Sequence, residues 1–190
     1  MLRICLIASA MTLLSIPAQA ATSLYSDLYG KSCKTIELDK ASGAYTRRCS
    51  GLGGFSLLVH EANAQTSVDI VTPAGAVYPL EYWEVVTPGL TRVGRKAEWR
   101  VEQRGGRVTP TGLLVRLDTT NAVTSGPRVA AGSIITAARI HLDGACVVYQ
   151  GNAQPSTADA LARSAVADAR SRCLGVFRTV SSERKPLRSN

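Results

Sequence analysis

Residues 145–173 read ACVVYQGNAQPSTADALARSAVADARSRC, and this stretch decides the fold. Ala145, Cys146, Val147, Val148 and Tyr149 make a short apolar run rich in β-branched residues, the signature of a buried strand. A turn through Gly151, Asn152, Gln154 and Pro155 follows. Ala158, Leu161, Ala162, Ala165, Val166, Ala169 and Cys173 then recur at three-and-four spacing, which predicts a helix over residues 156–172 with one apolar face. Ser156 with Asp159 three residues on has the form of a capping box. Asp159 with Arg163, and Asp168 with Arg172, are i,i+4 pairs expected on the wet side. A stripe made mostly of alanine approaches a sheet closely but buries little area, so Cys173 at its end is well placed to staple it down.

Working outward, the preceding residues supply the sheet. Residues 133–142 and 145–150 read as strands joined at Asp143 and Gly144, a strong hairpin signal. Residues 97–103 alternate, with Trp99 and Val101 on one side and Glu98, Arg100 and Glu102 on the other. Gly105 and Gly106 turn the chain into residues 107–117, where Leu113, Val115 and Leu117 face away from Leu114, Arg116 and Asp118. Earlier hairpins are expected from 34–39 with 44–49 and from 55–60 with 66–71. Gly51, Gly53 and Gly54 lack the lysine and helix start of a phosphate loop, so they read as a turn feeding a strand. Residues 23–29 are expected to form one helical turn, and residues 119–132 a small-residue loop around Gly126 and Pro127. The expected fold is α+β: one antiparallel sheet of about six to eight strands, covered on one face by the helix.

The first twenty residues have the form of an export signal. Arg3 precedes an apolar run over 6–16, and Ala18, Gln19 and Ala20 form a small-residue cleavage site after Ala20. The expected organisation is a signal peptide over 1–20, one disulfide-stabilised domain over 21–180 and a basic flexible tail over 181–190. A periplasmic or secreted product follows, without a transmembrane anchor after cleavage. Cys5 leaves with the signal, and Cys33, Cys49, Cys146 and Cys173 remain as an even set suited to an oxidising compartment. Pairing Cys33 with Cys49 and Cys146 with Cys173 closes local loops with 15 and 26 residues between partners. Each such loop contributes about 3 kcal/mol in the chain-entropy account. The absence of Cys-x-x-Cys spacing, with His60 and His141 distant in sequence from any cysteine, argues against a metal site, and no cofactor is expected.

Taking Arg3 from 22 basic residues leaves 21 against 14 acidic ones, a net charge of +7. That balance favours an anionic envelope component or an acidic protein, and export makes nucleic acid an unexpected partner. A dispersed basic surface is the plainer reading of the same number. Arg92, Arg95 and Lys96 form the densest candidate patch, because Arg100 falls beside Glu98 and Glu102. Tyr78, Tyr82, Trp83 and Arg92 are the candidate ligand-binding group, aromatics in a proline-rich segment beside a cation; the competing reading is that they cap the core. No catalytic constellation is present: there is no Gly-x-Ser-x-Gly elbow and no paired-histidine motif. A small periplasmic hydrolase using His60 or His141 is the alternative to a non-catalytic binding module. A lysozyme-inhibitor-like role is disfavoured, because a chain of charge +7 repels a basic enzyme.

The series Tyr25, Leu28, Cys33, Arg48, Cys49, Gly51, Gly53, Gly54, then Glu98, Trp99, Arg100, and finally Cys146, Val147, Val148, Ala160, Leu161, Ala162 and Cys173 resembles a family of small uncharacterised secreted proteins from proteobacteria. The resemblance covers most of residues 21–173 and is weakest over 73–94. It implies a periplasmic location and the same two local disulfides, and it transfers no catalytic residue.

Overall fold

The structure, a computed structural model, describes residues 21–120 and 131–175. The expected signal peptide, the Gly126–Pro127 loop centre, residues 176–180 of the expected domain and the basic tail lie outside the described residues.

Among the described residues ten strands occur in chain order: β1 (Thr22–Asp27), β2 (Cys33–Leu38), β3 (Tyr45–Ser50), β4 (Ser56–Ala62), β5 (Gln65–Val71), β6 (Val77–Pro79), β7 (Thr91–Arg104), β8 (Arg107–Thr119), β9 (Gly132–His141) and β10 (Gly144–Asn152). A single-turn helix, α1 (Tyr82–Val85), precedes β7, and α2 (Ala158–Ala167) follows β10. The strands are antiparallel, as expected, but they divide into two sheets of five rather than one of six to eight: β1-β7-β8-β9-β10 and β2-β3-β4-β5-β6. The reason lies in the first sheet, where β8 and β9 carry apolar residues on both faces. Ala97, Trp99, Val101, Leu113, Val115 and Leu117 face inward and pack with Leu57, Val59, Val68 and Ile70 of the second sheet. Leu114, with Ile135 and Ala137 of β9, faces outward under α2. One sheet covered by one helix leaves the first of these faces in water; a second sheet buries it.

Residues 23–29 form a strand and an extended exit rather than a helical turn. β1 pairs along β7 from Thr22 opposite Val101 to Asp27 opposite Lys96. Ser26 points inward along this strand and accepts a 2.9 Å hydrogen bond from Trp99 Nε1, satisfying the buried indole. Gly51 is required by the same tryptophan, since a Cβ there would lie 2.7 Å from Trp99 Cζ2. The β4–β5 hairpin turns tightly at Asn63 and Ala64, both with positive φ (52° and 56°). The β9–β10 turn sits on Leu142 and Asp143, one residue earlier than the Asp-Gly signal suggests.

Helix α2 is shorter than expected and is held by charge as well as by packing. Ala158, Ala162 and Val166 are its buried side chains, while Leu161 is exposed. Burying one valine contributes only about 1.5–3 kcal/mol and the alanines less, so other fastenings matter. No side chain caps the first turn, and the expected capping box does not form. Asp159 and Arg163 reach the sheet instead: Arg116 Nη2 donates to Asp159 at 2.6 Å, and Arg163 grips Glu98. At the other end, the Arg139 guanidinium donates to the carbonyls of Ala165 and Val166 in the last turn and of Asp168, Ala169 and Ser171 just beyond it. Both expected disulfides are present, Cys33–Cys49 between paired residues of β2 and β3, and Cys146–Cys173 beyond the end of α2. Such bridges accord with an oxidising, exported environment. Among the described residues, no helix is long and apolar enough to cross a membrane.

Candidate functional site

The four residues singled out as a binding group do not share one surface. Tyr78 and Tyr82 are 3 % and 1 % exposed and belong to the core between the sheets. Burial pushes the Tyr82 hydroxyl far above the ordinary tyrosine range, so it stays protonated. Trp83 lies half-buried on the outer face of the second sheet, edge-on to His60 at 6.5 Å. Arg92 alone is exposed, on β7. The pairing of β6 with β5 turns Tyr78 inward, and the α1 turn does the same for Tyr82, because the large apolar area of these rings outweighs a surface role.

Arg92 does border a hollow, with different neighbours. Along the seam between the sheets, Tyr29, Tyr45, Glu61, Arg92, Arg95 and Asp118 surround a volume of about 420 Å³. Here β7 breaks its ladder: the register jumps from Val93 opposite Leu117 to Ala97 opposite Val115, so residues 94–96 face Arg116 alone. A bulge of this kind re-aims side chains, and it presents Arg92, Arg95 and Lys96 together as exposed cations. The bulge is pinned by the Leu28 N–H donating to Arg95 O at 2.9 Å. Thr66 and Thr91 tie the two sheets at this end, the Thr91 hydroxyl accepting from Thr66 N at 3.0 Å and the Thr66 hydroxyl donating to Thr91 O at 2.8 Å.

Charge at the rim is only partly balanced. Lys96 lies 3.8 Å from Asp27 with both side chains mostly exposed, a weak pair. Arg92 and Arg95 form no ion pair among the described residues. On the other side of the bulge, Arg95 and Lys96 border a second hollow of about 370 Å³ with Tyr25, Arg116, Asp159 and Arg163. Inside the seam hollow, the Tyr45 hydroxyl donates to Glu61. Burial and that hydrogen bond push its pKa up to about 12, so Tyr45 remains a neutral donor at neutral pH. Tyr29 donates to Val93 O at 2.8 Å. Tyrosines beside exposed arginines suit binding of an anion that has rings or hydroxyls to stack and bond.

His60 is placed differently from His141. On the outer face of the second sheet, His60 Nε2 lies 2.8 Å from Asp69 and Nδ1 lies 3.1 Å from the Thr46 hydroxyl, so both ring nitrogens are engaged. His141 is exposed at the end of β9. Among the described residues, no group of three or more His, Cys, Asp or Glu side chains forms a metal site.

Sequence reasoning found Arg92, Arg95 and Lys96 and missed Tyr29, Tyr45, Glu61 and Asp118. Tyr45 and Glu61 sit at opposed positions of β3 and β4; inward-pointing polar residues at the open end of an alternating hairpin were the available signal. Comparison with known proteins gives no match to a family model, a curated protein or a solved structure.

Proposed function

We propose that this is an exported, periplasmic, non-catalytic module that binds an anionic envelope component through the bulge-centred cleft. The carrying observation is the joint exposure of Arg92, Arg95 and Lys96 at a bulge bordered by two hollows. The net positive charge of the chain steers anions toward it. The test is retention of residues 21–190 on an envelope fraction, wild type against Arg92→Ala/Arg95→Ala/Lys96→Ala. The wild type is expected to be retained and released by salt, and the triple variant to pass through. Equal retention of the two proteins overturns the reading, and salt-insensitive retention points to a protein partner.

Hydrolysis using His60 is the second reading, favoured by its 2.8 Å contact with Asp69. The hydroxyl beside it weakens the reading: Thr46 is buried and donates to Glu37 at 3.1 Å, so the group His60 would activate is closed to solvent and otherwise engaged. Hydrolysis of any envelope ester or amide that disappears in His60→Ala, with the fold intact, supports that reading over binding alone.

A further inference from the structure

An arginine stacked on two of the tyrosines that line the seam hollow, Tyr29 and Tyr45, has its best hydrogen-bonding edge unused. Nε and Nη2 of Arg47 are buried and have no hydrogen-bond partner among the described residues. These nitrogens form the side-on edge of a guanidinium, the fork that matches the two oxygens of a carboxylate. Elsewhere in this molecule the same edge is filled: Arg163 holds Glu98 through Nε and Nη2 at 2.6 and 2.8 Å. Leaving such donors buried and unpaired is costly, which is the condition of a site awaiting a partner. The guanidinium stacks on two rings, with its central carbon 4.4 Å from the Tyr29 ring centroid and 5.0 Å from that of Tyr45. Glu61, the carboxylate two positions along the neighbouring strand from Arg47's partner Val59, accepts from Tyr45 instead.

We propose that Arg47 is a carboxylate receptor: a small carboxylic acid, or the acid group of a larger ligand, enters the seam hollow and closes onto the Nε–Nη2 edge. The hollow's volume of about 420 Å³ lies within the range of small-molecule sites. Arg92 and Arg95 at its rim attract the anion, and Tyr45 is the ring that turns aside to admit it, exchanging its bond to Glu61 for the ligand. The proposal rests on the reading of this cleft as an anion site and names the chemistry it takes.

The probes are D-glucuronate for a sugar acid, N-acetylalanine for a peptide carboxylate, and D-glucose as a neutral control. Each is titrated into residues 21–190 labelled with nitrogen-15 arginine. The Arg47 Nε–H resonance, identified by its loss in Arg47→Lys, is expected to move with one or both acids and to stay fixed with D-glucose. Arg47→Lys keeps the charge without the fork and is expected to weaken the acid at least about tenfold. Its retention on the envelope fraction is expected to weaken without vanishing, because Arg92, Arg95 and Lys96 remain exposed at the rim. A resonance that moves with neither acid, one that moves equally with D-glucose, or a lysine variant binding like the wild type overturns the receptor. Where the lysine variant fails to fold, the resonance is identified by its nuclear Overhauser contacts to the Tyr29 and Tyr45 rings, and the wild-type titration decides alone. An unmoved Arg47 beside salt-sensitive envelope retention removes this inference and leaves the proposed function standing.

Discussion

Arg163 of α2 meets Glu98 of β7 side-on, Nε to Oε1 at 2.6 Å and Nη2 to Oε2 at 2.8 Å. The glutamate side chain is 9 % exposed and also accepts from the Ser23 hydroxyl at 2.5 Å. Burial pushes the Glu98 carboxyl up, but bonds from Arg163 and Ser23 and the charges of Arg163 and Arg100 outweigh it and hold it below its ordinary 4.5. A carboxylate depressed in the folded state contributes stability that is present above the ordinary value and lost as the pH falls through the folded one. Glu98→Gln is therefore expected to cost about 2 kcal/mol at neutral pH, with the half-exposed arginine left unpaired. The gap between the two proteins is expected to close in acid. Urea unfolding across that range checks this, and a gap that does not change with pH excludes the account.

Gly112 of β8 lets α2 sit close to the sheet. A Cβ there would lie 2.3 Å from Val166 Cγ1 and 3.0 Å from the Ala138 carbonyl oxygen. Gly112→Ala is expected to cost about 1–3 kcal/mol by overpacking. Combining it with Val166→Ala is expected to recover about 1 kcal/mol relative to the sum of the single changes. A double-mutant cycle measured by thermal unfolding decides, and strict additivity would place the clash elsewhere.

Ala64 holds a left-handed conformation in the β4–β5 turn. That conformation costs a non-glycine residue about 1–2 kcal/mol, whereas glycine's extra chain entropy costs about 0.5–1. Ala64→Gly, which creates the preferred Asn-Gly turn, is expected to raise stability by roughly 0.5–1 kcal/mol. A calorimetric midpoint no higher than wild type counts against the strain.

Arg139 closes the C-terminal end of α2 with donors to five carbonyls. Arg139→Ala is expected to cost about 1–3 kcal/mol, the penalty for leaving such acceptors unpaired. The loss is expected to appear first as faster amide exchange in the last turn of α2. Hydrogen exchange resolved by residue tests it; unchanged protection there, with a uniform loss across the sheets, would show that Arg139 acts on the whole fold.

What was legible in the chain was local. The hairpins around Gly105 and Asn63 and both disulfides rest on partners close in sequence, where turn chemistry and loop closure leave few choices. The division into two sheets was hidden because alternation in β7 shows that Trp99 and Glu98 face opposite ways without showing what covers each side. Glu98 and Arg163 read as surface charges for the same reason, since their pairing spans 65 residues. The strand at residues 22–27 was hidden in the same way, since the partner of Ser26, Trp99, is 73 residues away. The cleft combines the exit of β1 with β3, β4, β7 and β8, so only its cationic rim, contiguous on β7, stood out in the sequence.

Each disulfide joins cysteines that are consecutive in the residues after the expected signal, at separations of 16 and 27. Neither crosses the interior between the sheets: one lies within the second sheet, and the other ties β10 to the chain after α2. A chain delivered from its N-terminus therefore presents each cysteine with its correct partner next in line. The first bridge can close before β7 has been synthesised, and an oxidant that joins neighbours in order of emergence suffices without a reshuffling step.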